Sequence, residues 1–252
     1  MLSQDSPATL CPLNLTQLLT RTLELYRKYF WNLLGIVLGI QLLISLVSIM
    51  MARNGIASNN LVRTLFVDAL GLFLIVVLTF FMEGAVTVGV AEDLINRPID
   101  IGRAYSAAGA RLAPLTLTGL LAGFLIALCF VTIILIPLGI YLAIRWLFLG
   151  PVVMIEGLSG SAALQRSSYL VRGRWWPIFG TVLLTLLAGS IASALVSAIL
   201  GFVFRGVILG FLIQWIITAL VTTYNITIVV LLYMDARARK ETVTVDQLTV
   251  QW

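Results

Sequence analysis

The stretch Glu156-Gly157-Leu158-Ser159-Gly160-Ser161-Ala162-Ala163-Leu164-Gln165-Arg166-Ser167-Ser168-Tyr169-Leu170-Val171-Arg172-Gly173-Arg174-Trp175-Trp176-Pro177-Ile178-Phe179-Gly180 decides the fold. Apolar runs long enough to cross a bilayer flank it on both sides, so it joins two membrane spans. At about 100° per residue, Ala163, Leu164, Ser167, Leu170, Val171 and Trp175 share one side of a helix. Arg166, Tyr169 and Arg172 share the other. Ser159 stands where an N-cap belongs, its hydroxyl placed to accept from a first-turn amide. Trp175 and Trp176 favour the headgroup layer. Pro177 suits a first helical turn, where its missing N–H costs nothing. The stretch predicts a short helix lying in the membrane interface from Ser159 to Trp176, then a turn into the bilayer. A plain polar loop is the alternative, and the segregated faces count against it.

Composition extends that reading to the whole chain. Its 252 residues are 60% hydrophobic and 11% charged, with a mean hydropathy of +1.06. Soluble domains carry about 25% charged residues, so lipid must be this chain's solvent. The net charge of +5 is dispersed between apolar runs, which fits basic cytoplasmic loops and argues against a nucleic-acid partner. Cys11 and Cys129 are isolated, and there is no histidine. Neither a disulfide frame nor a metal cluster is expected, and no cofactor. Residues 1–13 read as a leader without the basic start and apolar core of a secretory signal.

The chain then reads as one all-α, six-span membrane domain over residues 14–240, with a polar tail at 241–252. An amphipathic helix opens at Asn14, with Leu15, Leu18, Leu19, Leu23 and Tyr26 on one face. Span 1 is expected over 30–51 and span 2 over 65–90. Asp100 caps a second short helix. Span 3 follows over 115–136, and Pro137-Leu138-Gly139 marks the turn to span 4 at 140–155. Span 5 is expected over 178–200 and span 6 over 207–234. Gly35 and Gly39, and again Gly119 and Gly123, allow close helix approach. Gln214 and Asn225 in span 6 read as hydrogen bonders between helices.

Twelve Lys and Arg residues, among them Arg97, Arg103, Arg166, Arg172, Arg174, Arg237 and Lys240, fall on the side of both termini. Arg53, Arg63 and Arg205 fall opposite. Both termini are therefore expected in the cytoplasm of a cell-membrane protein. The three short helices become cytoplasmic interfacial helices, and Arg166, Arg172 and Arg174 their basic groups for anionic headgroups.

Setting Leu13, Ile99 and Leu158 in register aligns three units, 13–97, 98–157 and 158–240, each an interfacial helix followed by a two-span hairpin. Either the chain is a threefold parallel repeat, or the units share only what any interfacial helix needs before a span.

The same stretch resembles a bacterial membrane-domain family associated with glycerophosphoryl diester phosphodiesterases. That family shows a span ending in Pro, apolar residues and Glu, then Ala-Leu-x-x-Ser-x-x-Leu-x-x-Gly and a Trp. Here these are Pro151, Glu156, Ala163, Leu164, Ser167, Leu170, Gly173 and Trp176. Arg145-Trp146 is similar to an Arg-containing step in the family's preceding span. An aromatic often follows the family's Ser directly; here Ser168 stands there and Tyr169 comes next. The resemblance implies a stand-alone membrane domain without the catalytic domain.

Three ionisable groups fall within or near the expected hydrocarbon: Asp68, Glu83 and Arg145. Each costs at least about 2.5 kcal/mol at mid-depth without a partner or water. Depth along unbroken helices favours an Asp68–Arg145 pair, with Glu83–Arg145 second. The group is either a structural pair or an ion or headgroup site. No catalytic constellation is present: no His-based triad, Walker A, GxGxxG or GxSxG. The expected function is a non-catalytic integral membrane protein that organises lipid or a membrane-protein partner. The alternative is a small permease or channel subunit using Asp68, Glu83 and Arg145.

Overall fold

The computed structural model describes residues 20, 22–24, 27–57, 60–94, 97–203 and 207–241. The expected leader, most of the helix opening at Asn14, and the tail after Glu241 lie outside the described residues. Regular structure among them is all helical. The helices are α1 (Phe30–Ala57), α2 (Leu61–Leu94), α3 (Ile101–Ala110), α4 (Leu112–Phe130), α5 (Ile136–Arg145), α6 (Leu149–Pro151), α7 (Gly160–Val171), α8 (Trp175–Val203) and α9 (Val207–Lys240).

Six segments are long and apolar enough to cross a membrane: α1, α2, α4, the stretch Ile133–Glu156, α8 and α9. The six candidate spans expected from the sequence are therefore present. Helices α2 and α9 have 34 residues each. At 1.5 Å per residue that is about 50 Å, well beyond a 30 Å hydrocarbon core. Their last turns, which carry Glu92, Asp93, Asp235 and Arg237, extend past the apolar length.

Two bounds differ from the sequence reading, with physical causes. The turn between spans 3 and 4 falls at Val131–Thr132, and a 3-10 turn over Ile133–Leu135 leads into α5. Pro137 lies in the first turn of α5, where its fixed φ and absent N–H suit a helix start, so it begins the span and does not interrupt it. Span 4 is also not one helix. It breaks over Trp146–Phe148, resumes as the single turn α6, and ends in a π turn over Val152–Glu156.

The helix α7, expected to lie in the interface, is shorter than expected. It ends at Val171, and Gly173 takes φ +87°, the left-handed conformation that closes a helix C-terminus. Ser159 holds the N-cap position in extended conformation, but its side chain makes no cap bond. The free amide of Gly160 donates instead to Thr118 Oγ1 of α4 at 2.8 Å. Asp100 does cap α3 as expected, accepting from the Arg103 amide at 3.0 Å.

Burial is concentrated at one end of the bundle, where α3 and α7 lie. Leu33, Val86, Leu115, Met154, Leu170 and Tyr233 are fully enclosed there. Toward the other end Leu46, Met50, Phe66, Leu128 and Leu195 stand exposed. Lipid is as apolar as these side chains, so no hydrophobic force presses the far halves together. Helix α3 packs on α1 and α2, and α7 packs on α4, α9 and the broken span 4. Tyr105 of α3 donates from Oη to the Ile36 carbonyl at 2.7 Å, beside Gly39 of the first small-residue pair.

Candidate functional site

The break in span 4 is the centre of the buried end. A helix that breaks frees backbone amides and carbonyls, and inside an apolar bundle these need partners. Ser167 of α7 supplies both. Its Oγ accepts from the Phe148 amide at 3.2 Å and donates to the Arg145 carbonyl at 3.0 Å, and the residue is fully buried. Ala163, Leu170 and Val171, on the same face, are buried against the bundle as their spacing predicts, with Leu164 half-buried. Pro151 is buried in α6, just before the π turn.

Ion pairs surround this junction. Arg166 Nε meets Glu156 Oε2 at 2.6 Å, while Nη1 and Nη2 hold both oxygens of Glu241 at 2.5 and 2.9 Å. Tyr233 Oη donates to Glu156 Oε1 at 2.7 Å, and Arg237 lies 3.3 Å from Glu241. The bonds from Arg166 hold the Glu241 carboxyl below its ordinary range, and the same carboxylates hold the Arg166 guanidinium above its own. Arg174 Nη1 pairs with the buried Asp235 at 2.8 Å, and Arg239 holds both oxygens of the same carboxylate.

A basic residue just ahead of each hairpin reaches the last turns of that hairpin's second helix. Lys28, two residues before α1, meets Asp93 of α2 at 3.0 Å. Arg111, directly before α4, donates to the carbonyls of Val153 and Met154 at 3.0 and 3.1 Å. Arg174, directly before α8, holds Asp235 of α9. The clasp thus recurs in all three hairpins. The short helices α3 and α7 also tie back to the apolar segment before each: Arg103 of α3 to Glu92 at 3.2 Å, and Arg166 of α7 to Glu156.

The three ionisable residues expected in the membrane are not brought together. Span 4 starts at Ile133, seven residues earlier than the expected Ile140, which carries Arg145 about 10 Å further along the helix. Arg145 becomes the last residue of α5, at the break, exposed, with its guanidinium 5.9 Å from the Tyr141 ring centroid. It pairs with neither Asp68 nor Glu83. Asp68 Oδ1 is enclosed without a hydrogen-bond partner among the described residues. Glu83 leans on Gly150 of α6, in the space a Cβ would fill, which only glycine leaves open. Gln214 behaves as expected and accepts from Ser197 Oγ of α8 at 2.6 Å, whereas Asn225 Oδ1 finds no partner among the described residues.

Arg145 instead shares a cleft of about 490 Å³ with the polar edge of α7. Arg172, Ser161, Gln165 and Ser168 complete its polar lining, and Trp146 and Leu164 its apolar part. Among the described residues no carboxylate lines it. This revises the roles expected for the interfacial basic residues. Arg166 and Arg174 are held by carboxylates, and among the described residues Arg172 makes no ion pair. Trp176 is exposed at the start of α8, next to Trp175, in an edge-to-face contact at 4.9 Å.

The carboxylate partners Glu92, Asp93, Asp235 and Glu241 escaped the sequence reading. Their signal was an acidic residue in or just beyond the last turns of span 2 and span 6. Among the described residues no group of three His, Cys, Asp or Glu side chains could hold a metal ion. Comparison with family models, with curated proteins and with solved structures finds no match to this chain.

Proposed function

We infer that the chain is a non-catalytic, multi-pass protein of the cell membrane that organises lipid, or a membrane-protein partner, at its cytoplasmic face. The observation that carries this is α7: an amphipathic helix anchored by Ser167 and Arg166 to a broken span, with a polar edge and an exposed arginine, Arg172, that makes no ion pair among the described residues. A helix with its apolar face against the bundle and its polar edge outward suits the headgroup layer. The Lys/Arg bias supports the orientation, with both termini cytoplasmic. The resemblance to the membrane domain associated with glycerophosphoryl diester phosphodiesterases is compatible with it. Pro151, Glu156, Ala163, Ser167, Leu170 and Gly173 all act at this one junction.

The permease alternative would use Arg145 beside Asp68 or Glu83, and Arg145 lies in the α7 cleft. Reconstitution into liposomes containing anionic and zwitterionic phospholipid tests the two readings together. The expected result is no solute flux above protein-free liposomes, with anionic lipid enriched around the protein. A solute flux that Glu83→Gln abolishes would replace this reading with the permease.

A further inference from the structure

We propose that the cleft between the end of α5 and the polar edge of α7 seats the phosphate headgroup of one anionic phospholipid, held by Arg145 and Arg172. This deepens the lipid-organising reading above and rests on it.

The first observation is a charge imbalance. Around the buried end Arg103, Arg166, Arg174, Arg237 and Arg239 each hold a carboxylate. Arg145 and Arg172 line one cleft and face no carboxylate among the described residues. Lys240 adds a third cation near Tyr169, which also lines the cleft: its Nζ lies 4.4 Å over the Tyr169 ring and donates to the Tyr169 carbonyl. Like charges gathered at a low-dielectric surface repel unless an anion sits among them. Guanidinium forks match phosphate oxygens in geometry as well as charge. Ser161, Ser168 and Gln165 offer neutral donors and acceptors for glycerol or hydroxyl oxygens. The volume lies within the range of small-molecule sites.

The second observation is what lies beside the cleft. Arg145 ends α5, and one turn back Tyr141 stacks on Trp175 of α8 at 5.9 Å, with Trp175 stacked on Phe179 at 5.0 Å. The Trp175 indole donates to the Tyr141 carbonyl at 3.3 Å. A seam of aromatic rings therefore runs from the cleft along the apolar helices, where an acyl chain would lie. A polar cationic seat continuous with an apolar seam suits an amphiphile. A water-soluble phosphate would use the seat and leave the seam unused, so the proposal commits to lipid.

The test is native mass spectrometry of the full chain in detergent, with equimolar phosphatidylglycerol and phosphatidylcholine of the same acyl chains. The wild type should retain phosphatidylglycerol about tenfold over phosphatidylcholine. Arg145→Gln with Arg172→Gln should bring the ratio near one. Ser168→Trp, which fills the cleft and keeps its charge, should do the same, so one variant decides if the other fails to fold. Arg97→Gln, exposed outside the cleft, should leave the ratio unchanged. A cleft variant that folds and keeps the wild-type preference would overturn this site and leave the broader lipid reading standing. A wild type with no preference would overturn both. Displacement of the bound lipid by millimolar inorganic phosphate or glycerol 3-phosphate would make the ligand a soluble phosphate and refute the lipid assignment.

Discussion

Ser167 Oγ donates to the carbonyl of Arg145 at 3.0 Å, and through that bond α7 holds the end of α5. The same oxygen accepts the Phe148 amide, so one buried hydroxyl spans the gap in span 4.

Ser167→Ala should therefore cost about 1–3 kcal/mol, the range for stranding a buried donor and acceptor. Ser168→Ala, half-buried in the cleft wall, should stay within about 0.5 kcal/mol of wild type. Denaturant unfolding of the detergent-solubilised protein separates the two. Equal losses would show that Ser167 does not bridge the break.

The Glu156–Arg166–Glu241 cluster should behave as a partly buried ion pair. Arg166→Gln leaves Glu156 and Glu241 with Arg237 alone, at 3.8 and 3.3 Å, so the loss should fall below the roughly 3–5 kcal/mol seen when a buried charge is stranded. Adding Glu156→Gln should recover part of it, measured as a double-mutant cycle. The pH dependence has a definite sign. The folded-state value of Glu241 is depressed, so its contribution is complete above its ordinary value of 4.5 and is lost as the pH falls through the lower folded value. Asp100, lowered by the Arg103 amide, adds in the same direction. Unfolding scans should show stability falling on acidification below about pH 4.5, with the fall smaller in Glu241→Gln. A pH-independent difference between the two proteins would contradict the assignment.

What the sequence made legible is what lipid demands of every span. Length and apolarity located six segments, and the 3.6-residue spacing of Ala163, Ser167 and Leu170 located the buried face of α7. The break in span 4 was not legible, because Trp146, Leu147 and Phe148 are as apolar as any helical run. Nor was the start of span 4 at Ile133, ahead of the turn expected at Pro137, and depth counted from that turn set Arg145 beside Asp68. Nor could Ser159 be distinguished from Thr118 as the cap of α7, since Thr118 lies 42 positions from Gly160 and is joined to it only by the fold. Arg166 and Arg174 looked like headgroup ligands because their partners, Glu241 and Asp235, lie at the far end of α9. Sequence shows which residues are charged, and the fold decides which of them are already neutralised.

Topology can be read with single cysteines in a Cys11→Ser, Cys129→Ala background. A membrane-impermeant maleimide should label Asn60→Cys only from outside the cell. Ser159→Cys should react only after the membrane is opened. Labelling of both from the same side would contradict six spans with cytoplasmic termini.

The claim on which the rest stands is that α7 lies flat at the headgroup layer, and spin labels measure it directly. Ser161, Gln165 and Tyr169 are exposed and four residues apart, one stripe along the helix. Nitroxides placed at each in turn, with depth read from oxygen and nickel-complex accessibility in bilayers, should report the same shallow depth at all three. A helix that entered the membrane would instead show depth rising steadily by about 12 Å from Ser161 to Tyr169. That result would contradict the account, and so would water-like accessibility throughout.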